Sequence, residues 1–178
     1  NGMGEAGDWE ISIYPYVKST GVFSCPSNPS NQTHSFSYTT AIPIMASYAV
    51  NRGARQPFPD SGQGTVTLAQ LGAPASTIAI VESTFAYTDY DVTDNQGTSG
   101  YFDNALFAGH TGTSNYAFLD GHSKAMRPMS TLDNIDGGSA GTINMWTTDT
   151  LPFVPANNGA CTVASGCKYL ADATKYYQ

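Results

Sequence analysis

Few stretches of this chain hold one hydrophobic period for long, and two of them stand out. Thr77-Ile78-Ala79-Ile80-Val81-Glu82 is a continuous apolar run, the pattern of a strand buried on both faces. Asn115-Tyr116-Ala117-Phe118-Leu119 and His122-Ser123-Lys124-Ala125-Met126 flank Asp120-Gly121 and predict a β-hairpin. Tyr116 and Phe118 fall on one side of its first strand, Ala117 and Leu119 on the other. Asp-Gly is the favoured pair for a two-residue type I′ turn, in which both positions take positive φ.

Elsewhere the periodicity is weaker. Residues 33–50 alternate loosely (Phe36, Tyr38; Ile42, Ile44; Tyr48, Val50) and predict two short strands, closed by Asn51-Arg52-Gly53. Asp8 to Tyr14 predicts a short helix with Asp8 as its cap and Trp9 and Ile13 on one face. Pro15 would end that helix and open a second turn through Lys18. Gly21 to Pro26 reads as extended, and Thr67 to Leu71 as one helical turn capped by Thr67. Beyond Pro128 the pattern is irregular, with apolar islands around Ile143, Met145, Trp146 and Leu151, Phe153, Val154. No repeat or heptad is present.

Composition narrows the function classes. The 178 residues suit one domain. Seven Lys and Arg against fourteen Asp and Glu give a net charge of −7, which argues against nucleic acid and against an anionic membrane surface. Only 12% of residues are charged, about half the ~25% usual in soluble domains. Ser, Thr, Asn, Gln and Gly take their place, as on secreted proteins and proteins that pack side by side. An aromatic content of 12% is too high for disorder. Apolar runs such as Ile78–Val81 fall far short of the ~20 residues of a spanning helix. The opening Asn1-Gly2-Met3-Gly4 carries no leader pattern and suggests a processed or truncated chain.

The candidate chemistry is sparse. No Gly-x-Ser-x-Gly elbow or catalytic cysteine context is present, so an enzyme is not expected. His110, His122, Asp120 and Glu82 offer donors that suit zinc or iron, but their spacing fits no compact ligand motif; a histidine tying a loop to the backbone is the expectation. Asp89, Asp91, Asp94 and Asn95 gather the hard oxygens that calcium prefers, in an order that departs from the EF-hand loop. Asp133-Asn134-Ile135-Asp136-Gly137 is a second acidic turn of the same kind. Both read first as solvated loops, so no cofactor is expected beyond, at most, calcium. Cys161 and Cys167 bracket a five-residue Ser/Gly/Ala-containing loop, close enough for a local disulfide. Cys25 is left over, either buried and inert or paired with a cysteine outside this sequence.

His110, nine residues, then Asp120-Gly121 resemble the His-x9-Asp-Gly signature of a large bacterial prepilin family. Tyr14-Pro15-Tyr16-Val17-Lys18, Val22-Phe23-Ser24-Cys25-Pro26-Ser27, Ser47-Tyr48-Ala49-Val50-Asn51 and Ala73 to Ser83 are similar to further family segments. They follow in family order and, with the signature, cover about residues 9–127. Glu82 stands where the family usually has Asp, and residues 128–178 run past the family's usual end.

The resemblance implies a type IV pilin-like or type II secretion pseudopilin-like subunit. Its fold would be an α+β head, a short N-terminal helical remnant packed on an antiparallel sheet with a long irregular C-terminal extension. Residues 1–178 would form one head domain, 1–127 the family-like core and 128–178 the extension with the Cys161–Cys167 loop. His110, Asp120 and Gly121 would have structural roles, and Cys25 could pair with a cysteine of the family's N-terminal helix. That helix, lying outside this sequence, would make the only membrane contact. The implied partners are identical subunits in a helical filament and the pilus or secretion assembly machinery. The location would be an extracellular filament at the cell surface, or a periplasmic pseudopilus anchored in the inner membrane before assembly. The alternative is a secreted β-rich module that binds carbohydrate or a surface and shares only the hairpin.

Overall fold

The continuous apolar run forms the central strand of a sheet in the computed structural model, which describes residues 9–29, 32–34, 44–52, 66–84, 89–90, 92, 106–153 and 168–177. Helix α1 is Trp9–Val17; the strands are β1 (Gln32–His34), β2 (Ile44–Ala46), β3 (Tyr48–Asn51), β4 (Ile78–Glu82), β5 (Asp89–Tyr90), β6 (Ser114–Phe118) and β7 (Ser123–Met126). Helix α2, Lys168–Tyr176, follows. Strands β3, β4, β6 and β7 form an antiparallel sheet in that order, and the two residues of β5 add in parallel to the outer edge of β3. Strands β1 and β2 make a separate two-stranded ladder. The fold is therefore mixed α+β, as expected.

Residues 33–50 hold three described strands where two were expected. Buried Ser47 separates β2 from β3: its N–H donates to Phe23 O at 3.0 Å and its carbonyl accepts Ser83 N–H at 2.8 Å. The backbone there bonds to other segments of the chain, so the strand breaks. Gly21 to Pro26 is not fully extended either. Thr20–Phe23 is a 3-10 turn that sends Phe23 and Cys25 inward.

Helix α1 runs through Pro15 without stopping. Proline removes one donor, yet Lys18 N–H still reaches Tyr14 O at 2.8 Å, and Lys18 ends the helix in the left-handed region (φ 54°). Its inward residue is Glu10, and Ile13 of the predicted apolar face is 37% exposed. Trp9 packs edge-on against Phe23 at 5.8 Å. Asp8, the expected cap, lies outside the described residues. Thr67 stands before its turn, but its hydroxyl caps no helical N–H; instead its N–H and hydroxyl both donate to Gln70 Oε1 at 2.8 Å, so the Gln70 side chain reaches back to it.

Residues 128–153 are irregular in backbone apart from a 3-10 turn at Pro128–Thr131, whereas 168–176 form a helix where an irregular extension was expected; together they supply much of the core. Trp146, Leu132, Phe153, Leu170 and Ala173 are fully buried against Ile78, Val81, Leu106 and Tyr116. Trp146 meets Tyr116 edge-on at 6.1 Å, and its indole N–H donates to Thr131 Oγ1 at 2.8 Å. Truncating such a tryptophan costs about 3–5 kcal/mol, a large share of a typical domain's stability. Helix α2 was not anticipated from the sequence. Its Leu170 and Ala173, with partly buried Tyr177 beyond its end, stand at i, i+3 and i+7 and face the core.

The hairpin forms with a different turn from the one predicted. Gly121 N–H donates to Phe118 O and Phe118 N–H to His122 O, both at 2.9 Å, so Leu119-Asp120-Gly121 make a three-residue loop. Of these three only Gly121 has positive φ (95°), the arrangement of a type I turn followed by a left-handed glycine. The type I′ turn sits one strand earlier, at Thr111 (φ 59°) and Gly112 (φ 76°), closed by reciprocal His110–Thr113 hydrogen bonds of 3.3 and 3.2 Å.

A Cβ at position 121 would meet open space, so only backbone conformation penalises a substitution there. Gly121→Val should lose about 1–2 kcal/mol relative to wild type in urea unfolding, and Gly121→Asn markedly less. Equal midpoints for the two variants would show that the left-handed turn imposes no constraint.

Candidate functional site

Three segments converge at the end of β4. Glu82, its last residue, is fully buried and lies across from Tyr48 in the β3 register. Ser83 N–H bonds Ser47 O at 2.8 Å and Ser83 O accepts Asn28 Nδ2 at 2.7 Å, which brings the 23–28 segment alongside. Within that segment Cys25 N–H donates to Ser47 Oγ at 2.9 Å. From the other side, Phe107 N–H donates to Glu82 O at 3.1 Å and leads into the turn that carries His110.

The side chains meet there. Glu82 Oε1 lies 3.0 Å from His110 Nε2, and Glu82 Oε2 accepts Asn115 N–H at 2.7 Å. Cys25 Sγ is 3.6 Å from the same His110 nitrogen. The His110 ring stands edge-on to Phe107 at 5.3 Å, and its side chain is 29% exposed, whereas Glu82 and Cys25 are buried. His110 is the only ion-pair partner of Glu82 among the described residues.

This arrangement does not make Cys25 a nucleophile. A Cys–His–carboxylate relay needs thiol and carboxylate on opposite ring nitrogens, and here both face Nε2. Burial, opposed by the Ser27 backbone N–H and reinforced by a smaller effect of the Glu82 charge, also pushes the Cys25 thiol above its ordinary value. The Tyr48 and Tyr116 hydroxyls are pushed up as well, first by burial and then by Glu82.

Of the expected site residues, His110 does tie its loop, to a buried carboxylate rather than to backbone. Asp120 and Gly121 lie beyond the opposite end of β6. The nine-residue spacing thus spans one strand with a turn at each end. Asp120 is exposed and pairs with His122: Oδ1 accepts the His122 N–H at 3.1 Å and lies 2.6 Å from Nδ1. Those contacts hold its carboxyl below its ordinary range, the His122 backbone N–H first. His122 stacks flat on Phe118 at 4.3 Å. The four-donor set His110, His122, Asp120 and Glu82 therefore divides between two ends of a strand.

Of the calcium candidates, Asp89 lies on β5, while Asp91, Asp94 and Asn95 lie outside the described residues, as do Cys161 and Cys167. The second acidic turn exposes Asn134, Ile135 and Gly137 as a solvated loop would, but its two carboxylates, Asp133 and Asp136, are buried, contrary to expectation. Asp133 Oδ1 accepts the N–H groups of Ile135 and Asp136 at 2.8 and 2.9 Å. Asp136 Oδ2 accepts Asn144 Nδ2 and Phe153 N–H at 3.0 and 2.7 Å. These oxygens bind the fold together. Cys25 is the member of the Glu82 cluster that spacing alone missed; its only sequence signal was membership of a family-like segment.

Comparison with protein-family models, with curated proteins and with solved structures found no match to this chain.

Glu82→Ala leaves Asn115 N–H and His110 without their buried acceptor, and should cost about 2–4 kcal/mol in chemical denaturation. In EDTA-treated native protein, Cys25 should alkylate with iodoacetamide far more slowly than after unfolding, read by peptide mass spectrometry. Equal rates in the two states would contradict the enclosed, protonated thiol.

Proposed function

We propose that this chain is the head of a non-catalytic filament subunit, of the type IV pilus or type II secretion pseudopilus kind. The observation that carries the reading is an apolar strip on its N-terminal segment. Ile13 and Val17 of α1 are 37% and 39% exposed, Tyr16 is 85% exposed and Val22 just beyond it 51%. A helix turning Glu10 inward and Ile13, Tyr16 and Val17 outward leaves its apolar side for another surface. In a pilin-like subunit this segment would adjoin the filament-forming helix, and identical neighbours are the partners that would cover it. The His-x9-Asp-Gly spacing supports the same reading, because it spans a sheet strand and assembles no catalytic set. Localisation follows: a cell-surface filament, or a periplasmic pseudopilus held in the inner membrane before assembly.

A second reading is favoured by one feature. A cavity of about 310 Å³ is lined by Thr111, Gly112, Arg127, Thr174 and Tyr177. Hydroxyls, a guanidinium and an aromatic ring suit a sugar, the ligand of a secreted binding module.

The two readings part on different residues. Tyr16→Glu should leave the melting temperature of the head nearly unchanged, since surface substitutions stay within about 0.5 kcal/mol. In cells expressing the full-length gene, it should abolish filaments seen by electron microscopy. Normal filaments with Tyr16→Glu, or glycan-array binding lost on Arg127→Ala with no filaments in wild type, would favour the binding module.

A further inference from the structure

The Cys25, Glu82 and His110 cluster has a geometry that hydrogen bonding alone does not demand. Each residue offers one donor atom, a sulfur, a carboxylate oxygen and an imidazole nitrogen, and all three lie within 4.8 Å of one another. They come from separate segments, so the fold and not a local motif assembles them. From these three residues we infer a binding site for a thiophilic divalent cation, Zn²⁺ foremost, with a fourth position open to solvent. The inference is independent of the filament reading.

Three features support it. The donor set is mixed S, N and O, which suits zinc and excludes calcium and magnesium, whose ligands are oxygens. Next, the spacing is close to that of a coordination polyhedron. With Zn–S of about 2.3 Å and Zn–N and Zn–O of about 2.0–2.2 Å, tetrahedral edges are roughly 3.3–3.6 Å. Sγ···Nε2 is 3.6 Å and Nε2···Oε1 is 3.0 Å, each within a few tenths of an ångström of such an edge, and the third pair, sulfur and carboxylate oxygen, lies within 4.8 Å and would close on the cation. Finally, the donors are oriented from behind. Asn115 N–H fixes the other Glu82 oxygen, Ser47 Oγ fixes the Cys25 backbone, and Phe107 packs on the His110 ring.

Charge and access fit as well. Glu82 is a buried carboxylate with no Lys or Arg beside it among the described residues. Binding would displace the Cys25 thiol proton to water, with neutral His110 ligating through Nε2 and carrying its one ring proton on Nδ1, so that thiolate and carboxylate balance the cation. The partly exposed His110 side provides the route in and the place for a water ligand. A bound cation would join the 23–28 segment, the end of β4 and the turn before β6.

The test uses the whole chain, stripped with EDTA and dialysed. Zn²⁺ titrated by calorimetry should bind with 1:1 stoichiometry. Co²⁺ in its place should give a thiolate-to-cobalt charge-transfer band. Zn²⁺ at about 100-fold over Kd should raise the melting temperature by roughly 5–10 °C. Cys25→Ser should remove the charge-transfer band, and His110→Ala should weaken Zn²⁺ binding at least 10-fold. His122→Ala and the double change Cys161→Ser, Cys167→Ser should leave both intact. Should a Cys25 or His110 variant fail to fold by circular dichroism, the band and its 1:1 titration in the Cys161→Ser, Cys167→Ser protein decide alone, because only Cys25 remains there to supply sulfur. Absence of that band, or Zn²⁺ binding indifferent to folded Cys25 and His110 variants, overturns the site.

Discussion

The buried carboxylate of Glu82 is the constraint on which this fold's geometry turns. It stands at the end of the central strand, where the sheet stops and three segments must be held without further ladder bonds. One oxygen accepts Asn115 N–H at the start of β6, and the other meets His110 in the turn before it. The backbone carbonyl accepts Phe107 N–H. A buried carboxylate with no Lys or Arg beside it among the described residues survives only when hydrogen-bond donors surround it. Their positions are fixed by that requirement, and with them the entry of β6, the 107–113 loop and the place of Cys25. An aspartate here, one methylene shorter, would have to draw its donors inward, so the longer side chain sets the width of the gap.

A similar economy appears at the opposite end of β4. Asn51, buried on β3, donates through Nδ2 to Ile78 O at 2.8 Å and Trp146 O at 3.0 Å. Ile78 N–H in turn donates to Met145 O at 2.8 Å. Irregular backbone at 144–147 is thereby joined to the sheet without becoming a strand. The Asp133 and Asp136 carboxylates do the same for the loops around them, binding peptide N–H groups that no ladder satisfies. This is how residues 128–153, with little regular structure, still bury Leu132, Trp146 and Phe153. Residues 128–153 and α2 thus complete the core that begins with β3.

What the sequence made legible follows from which signals are local. The doubly buried β4 and the β6–β7 hairpin were readable because apolar runs and an Asp-Gly pair act over a few residues. The turn type was not. Asp-Gly serves both a two-residue and a three-residue loop, and pairing with β4 chooses between them. Thr111-Gly112 carries the type I′ turn although a β-branched residue at φ 59° is unfavourable, so local preference would never have selected it. Helix α2 escaped notice because its inward face is only Leu170 and Ala173, with Tyr177 just past its end, too few apolar positions to stand out. His110 was singled out by its spacing to Asp120-Gly121, but its partners lie 28 and 85 residues away in sequence. No periodicity spans such separations; only the family-like fragments pointed to all three residues at once.

The scarcity of charge now has a sharper meaning. Glu10, Glu82, Asp133 and Asp136 are buried, so at least four of the fourteen acidic residues are withdrawn from the surface. At most ten acidic groups then face solvent, and because no described Lys or Arg side chain is buried, the outside is closer to neutral than the formal −7 suggests. Identical surfaces brought together repel in proportion to the charge they share, and exposed charges within a Debye length of about 8–10 Å are the ones that matter. Under the proposed filament reading, keeping acidity inside as hydrogen-bond acceptors would let the chain present neutral polar faces and an apolar strip to copies of itself. On that reading the residues that hold the irregular regions together would also lower the electrostatic barrier to side-by-side packing.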